Sequence, residues 1–185
     1  MEFLFSFAGL TLCLLFIPII SFVNLFANKG SLFYTQDRVG KNGVVFKIYK
    51  FRTMTENSEV NGAVFASAND KRITPFGKFL RKSRVDELPQ FINVLKGDMA
   101  VIGPRPERPF FVEEIASVMP FYETRHVIRP GLTGWAQVNY SYGDSIKDSL
   151  IKLQYDLYYI KHRSISLDIN ITIKTISTIL FYRGQ

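Results

Sequence analysis

Residues 71–109 read KRITPFGKFLRKSRVDELPQFINVLKGDMAVIGPRPERP, and their punctuation lays out the centre of the chain. Pro75–Lys82 and Glu87–Leu95 read as two short helices, the second ended by Gly97. Pro89 is tolerated in a first helical turn but not in a helix interior, so the second helix is expected to begin near Asp86. Beyond Gly97, VIGPRPERP at 101–109 carries three prolines and a glycine, the composition of a rigid extended loop. Residues 110–118 again suit a helix, interrupted by Pro120.

Upstream of this centre, 33–39 and 44–51 are short aromatic and β-branched runs joined by Gly-Lys-Asn-Gly at 40–43, which predicts a β-hairpin. The polar stretch 55–69 has no periodicity and is expected to be a loop. Downstream, RPGLTGWAQVN at 129–139 is rich in turn residues. Ile146, Leu150, Leu153, Leu157 and Ile160 then recur at helical steps, as in an amphipathic helix. A further helical segment is expected over about 168–181, with a strand left open by its many isoleucines. The class is therefore α/β, mostly helical with a small β-hairpin, and neither an internal repeat nor a second domain is visible.

The first 28 residues differ in kind. The 26 residues between Glu2 and Lys29 carry no charge, while all 23 Lys and Arg of the 185-residue chain lie from Lys29 onward against 15 acidic residues. As one helix, residues 3–28 are long enough to cross a hydrocarbon core of about 30 Å. Pro18 lies near the middle and predicts a kink or break near 16–18. That permits either a kinked spanning helix or a helix-break-helix hairpin that enters and leaves by one face. The basic chain that follows favours a cytoplasmic body in both. Glu2 in place of a basic lead-in, with no small-x-small site, argues against a cleaved signal peptide. A single cysteine, Cys13, excludes an intramolecular disulfide framework, and His126 and His162 are too far apart to suggest a zinc site.

The chemistry concentrates around Asp86 and Glu87. Six basic residues and no acidic one lie between Lys71 and Arg84, immediately ahead of the pair. Adjacent carboxylates beside guanidinium groups suit phosphoryl transfer: one attacks phosphorus or holds a divalent cation, the other tunes it, and arginines neutralise phosphate oxygens. The plainer alternative makes Asp86 an N-cap, Glu87 a dipole partner and the basic run a solvated or lipid-facing surface. Arg105, between Pro104 and Pro106, has a pre-set backbone that suits an oxyanion clamp. Arg125, His126 and Arg129 form a second basic candidate, which as a surface cluster would be unremarked. Trp135 and Tyr140 suit stacking on a base or sugar, or equally core packing. Lys50 and Arg52 end the second strand of the hairpin, where they are able to face the same polar site.

Taken together, KFRTM at 50–54, DELPQFINVLKGDMAVIGPRPERP at 86–109, RHVIRPGLTGWAQVN at 125–139 and LQYDLYYIK at 153–161 closely resemble the bacterial sugar transferase family. These are monotopic phosphoglycosyltransferases that begin exopolysaccharide, O-antigen or glycoprotein glycan assembly. The wording GWAQVNYSYG looks most like the exopolysaccharide-synthesis branch. Members of that branch carry further transmembrane helices and another domain ahead of this unit, which are not expected for this chain.

The resemblance implies transfer of a sugar 1-phosphate from a UDP-sugar to undecaprenyl or another polyprenyl phosphate, with release of UMP. Asp86 matches the family's nucleophile, which forms a covalent phosphosugar intermediate, and Glu87 matches its partner. The pair implies Mg²⁺, held at Asp86. Lys50, Arg81, Arg105 and Arg129 fall where the family has basic residues for the active site and phosphates. The resemblance also implies that residues 1–28 form a re-entrant membrane helix and 29–185 a catalytic domain on the cytoplasmic face of the bacterial inner membrane, with interfacial amphipathic helices. Its expected partners are membrane lipids, with a homo-oligomer or other polysaccharide-assembly proteins as further candidates. Two departures stand out: the opening Met-Glu-Phe-Leu-Phe lacks the family's charged lead-in, and Ile17 precedes Pro18 where relatives often have serine. A membrane-tethered interaction module would share the charge and anchor but have no need of Asp86 beside Glu87. Nucleic-acid binding is not expected, since the basic residues are interspersed with apolar segments and no reading motif is present.

Overall fold

The computed structural model describes residues 2–28, 30–56, 58, 70–140 and 145–180. Most of the loop expected at 55–69 and the SYGD stretch at 141–144 lie outside these residues. Helix α1 (Glu2–Ala27) leads into a hairpin of β1 (Phe33–Val39) and β2 (Val45–Phe51). Then come α2 (Pro75–Lys82), a 3₁₀ turn at Val85–Gln90, α3 (Phe91–Lys96) and β3 (Ala100–Ile102). The chain continues through α4 (Pro109–Val118), a second 3₁₀ turn at Tyr122–Val127, β4 (Gly131–Thr133), α5 (Trp135–Asn139), α6 (Ile146–His162) and α7 (Ile165–Leu180). The architecture is mostly helical with two small two-stranded sheets.

The hairpin pairs antiparallel from Phe33 opposite Phe51 to Val39 opposite Val45, with the turn where Lys-Asn-Gly placed it. Its β2 strand is bolted to α3 by Asn93, which is fully buried. The Asn93 side chain accepts from the Tyr49 amide at 3.2 Å and donates to the Lys47 carbonyl at 2.8 Å, replacing a neighbouring strand. Strand β2 therefore cannot slide relative to the turn that carries Asp86.

The second sheet was not legible in the sequence. Strands β3 and β4 pair in parallel, joining the start of the proline-rich loop to the Arg-Pro-Gly turn. Gly103 and Gly131 cross there: a Cβ on Gly131 would lie 2.1 Å from the Gly103 amide nitrogen. Backbones meet this closely only where side chains are absent. The short helix α5 likewise replaces an expected turn.

Three apolar clusters form the interior. Val39, Phe111, Val112, Ile115, Met119, Tyr122 and Leu153 join β1, α4 and α6. Ile48, Val94 and Met99 lie between β2 and α3. The third cluster seats α1 on the body, with Cys13 and Ile20 packed against Phe51 and Leu80.

Helix α1 runs as one helix with Pro18 inside it, so the break expected near residues 16–18 does not interrupt it. Ser6, Gly9, Cys13, Ile20 and Asn24 are buried along one stripe, whereas Phe7, Leu14, Leu15, Ile19, Phe22 and Phe26 are exposed. Gly9 lies so close to α3 that a Cβ would stand 2.3 Å from the Phe91 ring. Just past the other end, Asn28 donates to the Arg52 carbonyl at 2.9 Å. The body thus flanks α1 along about 28 Å of its length.

Segment 165–180 is helical, not a strand. Its inner side buries Ile171, while Ile165, Ile169, Ile173 and Ile176 are exposed at helical spacing. In α6, Leu153 reaches the core and Leu157 packs beside it, but Leu150 is exposed.

Candidate active site

The expected helix start at Asp86 is a 3₁₀ turn instead, entered through Arg84 in the left-handed conformation (φ 57°). Pro89 explains the correction: in an α-helix its ring would clash with the Val85 carbonyl, so the chain tightens until α3 begins at Phe91. A non-glycine residue at positive φ is strained. Here the strain turns the chain between α2 and the carboxylate pair, placing Asp86 and Glu87 inward, 6% and 9% exposed.

Glu87 is the charge hub. Its Oε1 accepts from Lys50 Nζ at 2.9 Å and from Arg105 Nη2 at 2.8 Å, while Oε2 lies 3.7 Å from Arg84 Nη1. Burial by itself would raise the Glu87 carboxyl, but Arg105, Lys50 and Arg84 hold it well below the usual carboxylate range. Asp86 has the opposite fate. Burial and the adjacent Glu87 charge push it up to about 6, against the pull of Lys50, Arg81 and Arg84. Its Oδ1 is enclosed with no hydrogen-bond partner among the described residues. Lys50 is itself shifted down by burial, with Glu87 opposing that shift.

Each basic residue reaches the pair from a different element. Lys50 stands on β2, opposite Tyr34. Arg81, in the last turn of α2, donates through Nε to Thr53 Oγ1 at 2.9 Å and acts electrostatically on Asp86. Arg105 comes from the proline-bounded loop. Arg129 is exposed on the turn before β4, its carbonyl beside Gly103. The charges acting most strongly on the pair are those of Lys50, Arg81, Arg84 and Arg105. The sequence reading missed Arg84 as a site residue, because its nearness depends on the left-handed turn; the basic run ending one residue before Val85 was the available signal.

The run itself separates into inward and outward members. Arg81 and Arg84 are half-buried, whereas Lys71, Lys78 and Lys82 are exposed. Arg72 is taken by Asp70, to which its Nη2 donates at 2.5 Å.

Arg125 and His126 are not a surface cluster. Both are buried, because the 3₁₀ turn packs Tyr122 and its neighbours into the core. Arg125 pairs with Asp156 of α6 at 2.8 Å. Burial and the Arg125 charge push His126 down to about 4, so its ring is neutral at pH 7. Trp135 and Tyr140 likewise have internal neighbours. Trp135 stacks on Tyr158 with Lys174 over its ring, and Tyr140 donates to Asp148 at 2.7 Å.

No group of three or more metal-ligating side chains occurs among the described residues. Asp86 fits a different mode of divalent binding. A buried carboxylate oxygen without a partner, beside a second carboxylate, resembles sites where Mg²⁺ keeps most of its waters and shares one or two carboxylates with substrate phosphates.

A buried, desolvated carboxylate lies beside a neutralised one, and the charges of Lys50, Arg81, Arg84 and Arg105 act on the pair, an arrangement whose chemistry suits anionic groups. The model of the family described as bacterial sugar transferase matches residues 1–182, and the chain belongs to that family. It is 54% identical over 153 residues to the UDP-N-acetylgalactosamine-undecaprenyl-phosphate N-acetylgalactosaminephosphotransferase of Aeromonas hydrophila, covering 83% of this chain and 36% of that protein. It is 40% identical over 154 residues to the UDP-glucose:undecaprenyl-phosphate glucose-1-phosphate transferase of Escherichia coli K12, covering 81% and 33%. Against the exopolysaccharide production protein PSS of Rhizobium leguminosarum, identity is 38% over 182 residues, covering 92% and 90%. The chain thus spans about a third of the first two relatives and most of the third.

Proposed function

We propose that this chain transfers a sugar 1-phosphate from a UDP-sugar to undecaprenyl phosphate, releasing UMP and opening the assembly of an exopolysaccharide or related glycan. The observation that carries the reading is the division of labour in the carboxylate pair. Glu87 is neutralised by Lys50 and Arg105, while Asp86 keeps an oxygen, Oδ1, without a partner among the described residues.

Asp86 is the nucleophile. Its carboxylate oxygen attacks the sugar-bearing phosphorus, an O–P bond forms, the bond to the bridging oxygen breaks, and UMP departs with that oxygen. The oxygen of the lipid phosphate then attacks the same phosphorus and releases Asp86 as a carboxylate. Parking the phosphosugar on the enzyme lets one pocket serve two anionic substrates in turn. Burial without a fixed partner leaves Asp86 poorly solvated and nucleophilic once ionised. Lys50, Arg81, Arg105 and Arg129 are assigned to holding the carboxylates and the substrate phosphates. Mg²⁺, bound at Asp86, would offset the repulsion between carboxylate and diphosphate.

The body sits on the cytoplasmic face of the inner membrane, with residues 1–28 as a re-entrant anchor and 29–185 as the catalytic domain. Contact of the body with α1 from Gly9 to Asn28 supports this reading. A helix crossing at right angles would carry Phe91 and its neighbours through the hydrocarbon. The exposed isoleucines of α7 suit an interfacial helix. Lipid phosphates and a water-soluble nucleotide sugar meet only at such a surface.

The test is UMP release from a panel of UDP-sugars, N-acetylgalactosamine and glucose included, by detergent-purified protein with Mg²⁺, with and without undecaprenyl phosphate. Lipid-dependent turnover, with a phosphosugar adduct that Asp86→Asn does not form, is the expected outcome. A folded protein that forms no adduct and releases no UMP with any donor would leave a membrane-tethered binding module as the better reading.

A further inference from the structure

Arg125 is 5% exposed and Asp156, its partner on α6, 2%. The guanidinium is committed in three directions. Nε and Nη2 meet Asp156 Oδ2 at 3.0 and 2.8 Å, and Nη1 donates to the Tyr122 hydroxyl at 2.8 Å. Nη2 also donates to the main-chain carbonyl of Arg105 at 2.9 Å. The contacts with Asp156 and Tyr122 hold Arg125 in the core. The bond to the Arg105 carbonyl reaches out of it, to the residue whose own side chain meets Glu87 at 2.8 Å.

Arg105 is flanked by Pro104 and Pro106, so its backbone has little freedom except to swing with the loop as a unit. A bond to its carbonyl therefore sets the direction in which its side chain leaves. Planar, multidentate contact of this kind is what arginine provides and lysine does not.

We propose that Arg125 and Asp156 are positioning residues for the carboxylate pair: Asp156 holds the Arg125 guanidinium, Arg125 holds the Arg105 carbonyl, and that hold aims Arg105 at Glu87. The proposal rests on the transferase reading for its activity arm alone. It assigns α6, which contributes no group to the carboxylate site, a part in the geometry of that site.

The test is a double-mutant cycle on Asp156→Asn, which keeps the shape of the side chain and removes its charge, in wild-type and Arg105→Lys backgrounds. Leu153→Ala, one turn earlier on α6 and in the core, serves as the packing control. Asp156→Asn is expected to lower kcat/KM for UMP release by about 10- to 100-fold in the wild type. In the Arg105→Lys background the further loss should be under about 3-fold, because the group being aimed has already been replaced. Leu153→Ala should cost the same factor in both. Hydrogen exchange supplies a readout that needs no activity. Residues 101–109 should exchange faster in Asp156→Asn while the hairpin at 33–51 is unchanged, and Leu153→Ala should show no such selectivity. If Asp156→Asn does not fold, Arg125→Lys takes its place, keeping the charge for Asp156 while losing the reach to Arg105. Equal losses in both backgrounds, or exchange at 101–109 that rises only with the hairpin, would overturn the proposal. If wild-type protein turned over no donor, the transferase reading would fail alone and the exchange comparison would decide this one.

Discussion

At the residue scale, Asp86 and Glu87 are neighbours with opposite environments, and the difference has consequences for pH. The proposed attack needs Asp86 ionised, so adduct formation should rise with pH through a midpoint near 6, where its carboxyl is held. Adding Mg²⁺ should move that midpoint to lower pH, because a cation at the carboxylate favours the charged form. Rates of adduct formation by intact mass between pH 4.5 and 8 would show both. Stability should follow the same group in the other direction. The folded state holds the Asp86 proton more tightly than an unfolded Asp of pKa ~3.9 does, so its contribution is favourable below ~4 and is lost as pH rises towards 6. Denaturant melts of Asp86→Asn should therefore show a gain over wild type of on the order of 1–3 kcal/mol at pH 8, shrinking towards pH 4. Glu87→Gln should behave oppositely. It removes the negative charge that Lys50 and Arg105 share and leaves them a neutral amide oxygen, and a loss of about 1–3 kcal/mol is expected at pH 7.

At the element scale, the site depends on two loops held by backbone contact. Gly103 and Gly131 cross, with Gly103 donating to the Thr133 carbonyl at 2.9 Å and Gly131 to the Pro104 carbonyl at 2.9 Å. Gly131→Ala must push this crossing apart, since the obstacle is backbone and not a side chain able to swing away. A loss of roughly 1–3 kcal/mol is expected, with a larger proportional fall in activity than in stability because Arg105 moves with the loop. Thermal melts and turnover of the one variant separate the two effects. The helices near 75–82, 110–118 and 146–160 and the hairpin were legible from periodicity and turn residues, all of which act within a few positions. The parallel β3–β4 pair was not legible, because its register joins residues about thirty positions apart and neither strand has room to show alternation.

Over the whole molecule, α1 presents a buried stripe to the body and an apolar face outward, and the chain's one cysteine, Cys13, lies in the buried stripe. This arrangement makes the anchor testable. In a Cys13→Ala background, single cysteines at Phe5 and Phe26 should both react with an impermeant maleimide from the cytoplasmic side if α1 is re-entrant; labelling from opposite sides would require it to span. The isoleucine face of α7 gives a second measure. Ile173, 62% exposed, should contribute to lipid contact and not to the core. Ile173→Asp should therefore weaken recovery on anionic vesicles several-fold while leaving the melting temperature in detergent within a few degrees.

The sequence alone determined the kind of protein: an uncharged segment ahead of a basic body, a hairpin, helices at their periodic positions, and the Asp86–Glu87 pair among arginines. Each of these is written in local composition or spacing, where a few neighbouring residues suffice. Tertiary structure decided which cations serve the pair and which carboxylate keeps an oxygen without a partner among the described residues. Lys50 and Arg105 lie 37 and 18 positions from Glu87, and their meeting depends on Asn93 fixing β2 and on Arg125 holding a loop. It also turned Arg125 from an apparent surface charge into a buried one, through a partner 31 positions away on α6. Charge and periodicity are local properties of a chain, but burial and the pairing of distant charges exist only once its elements have packed.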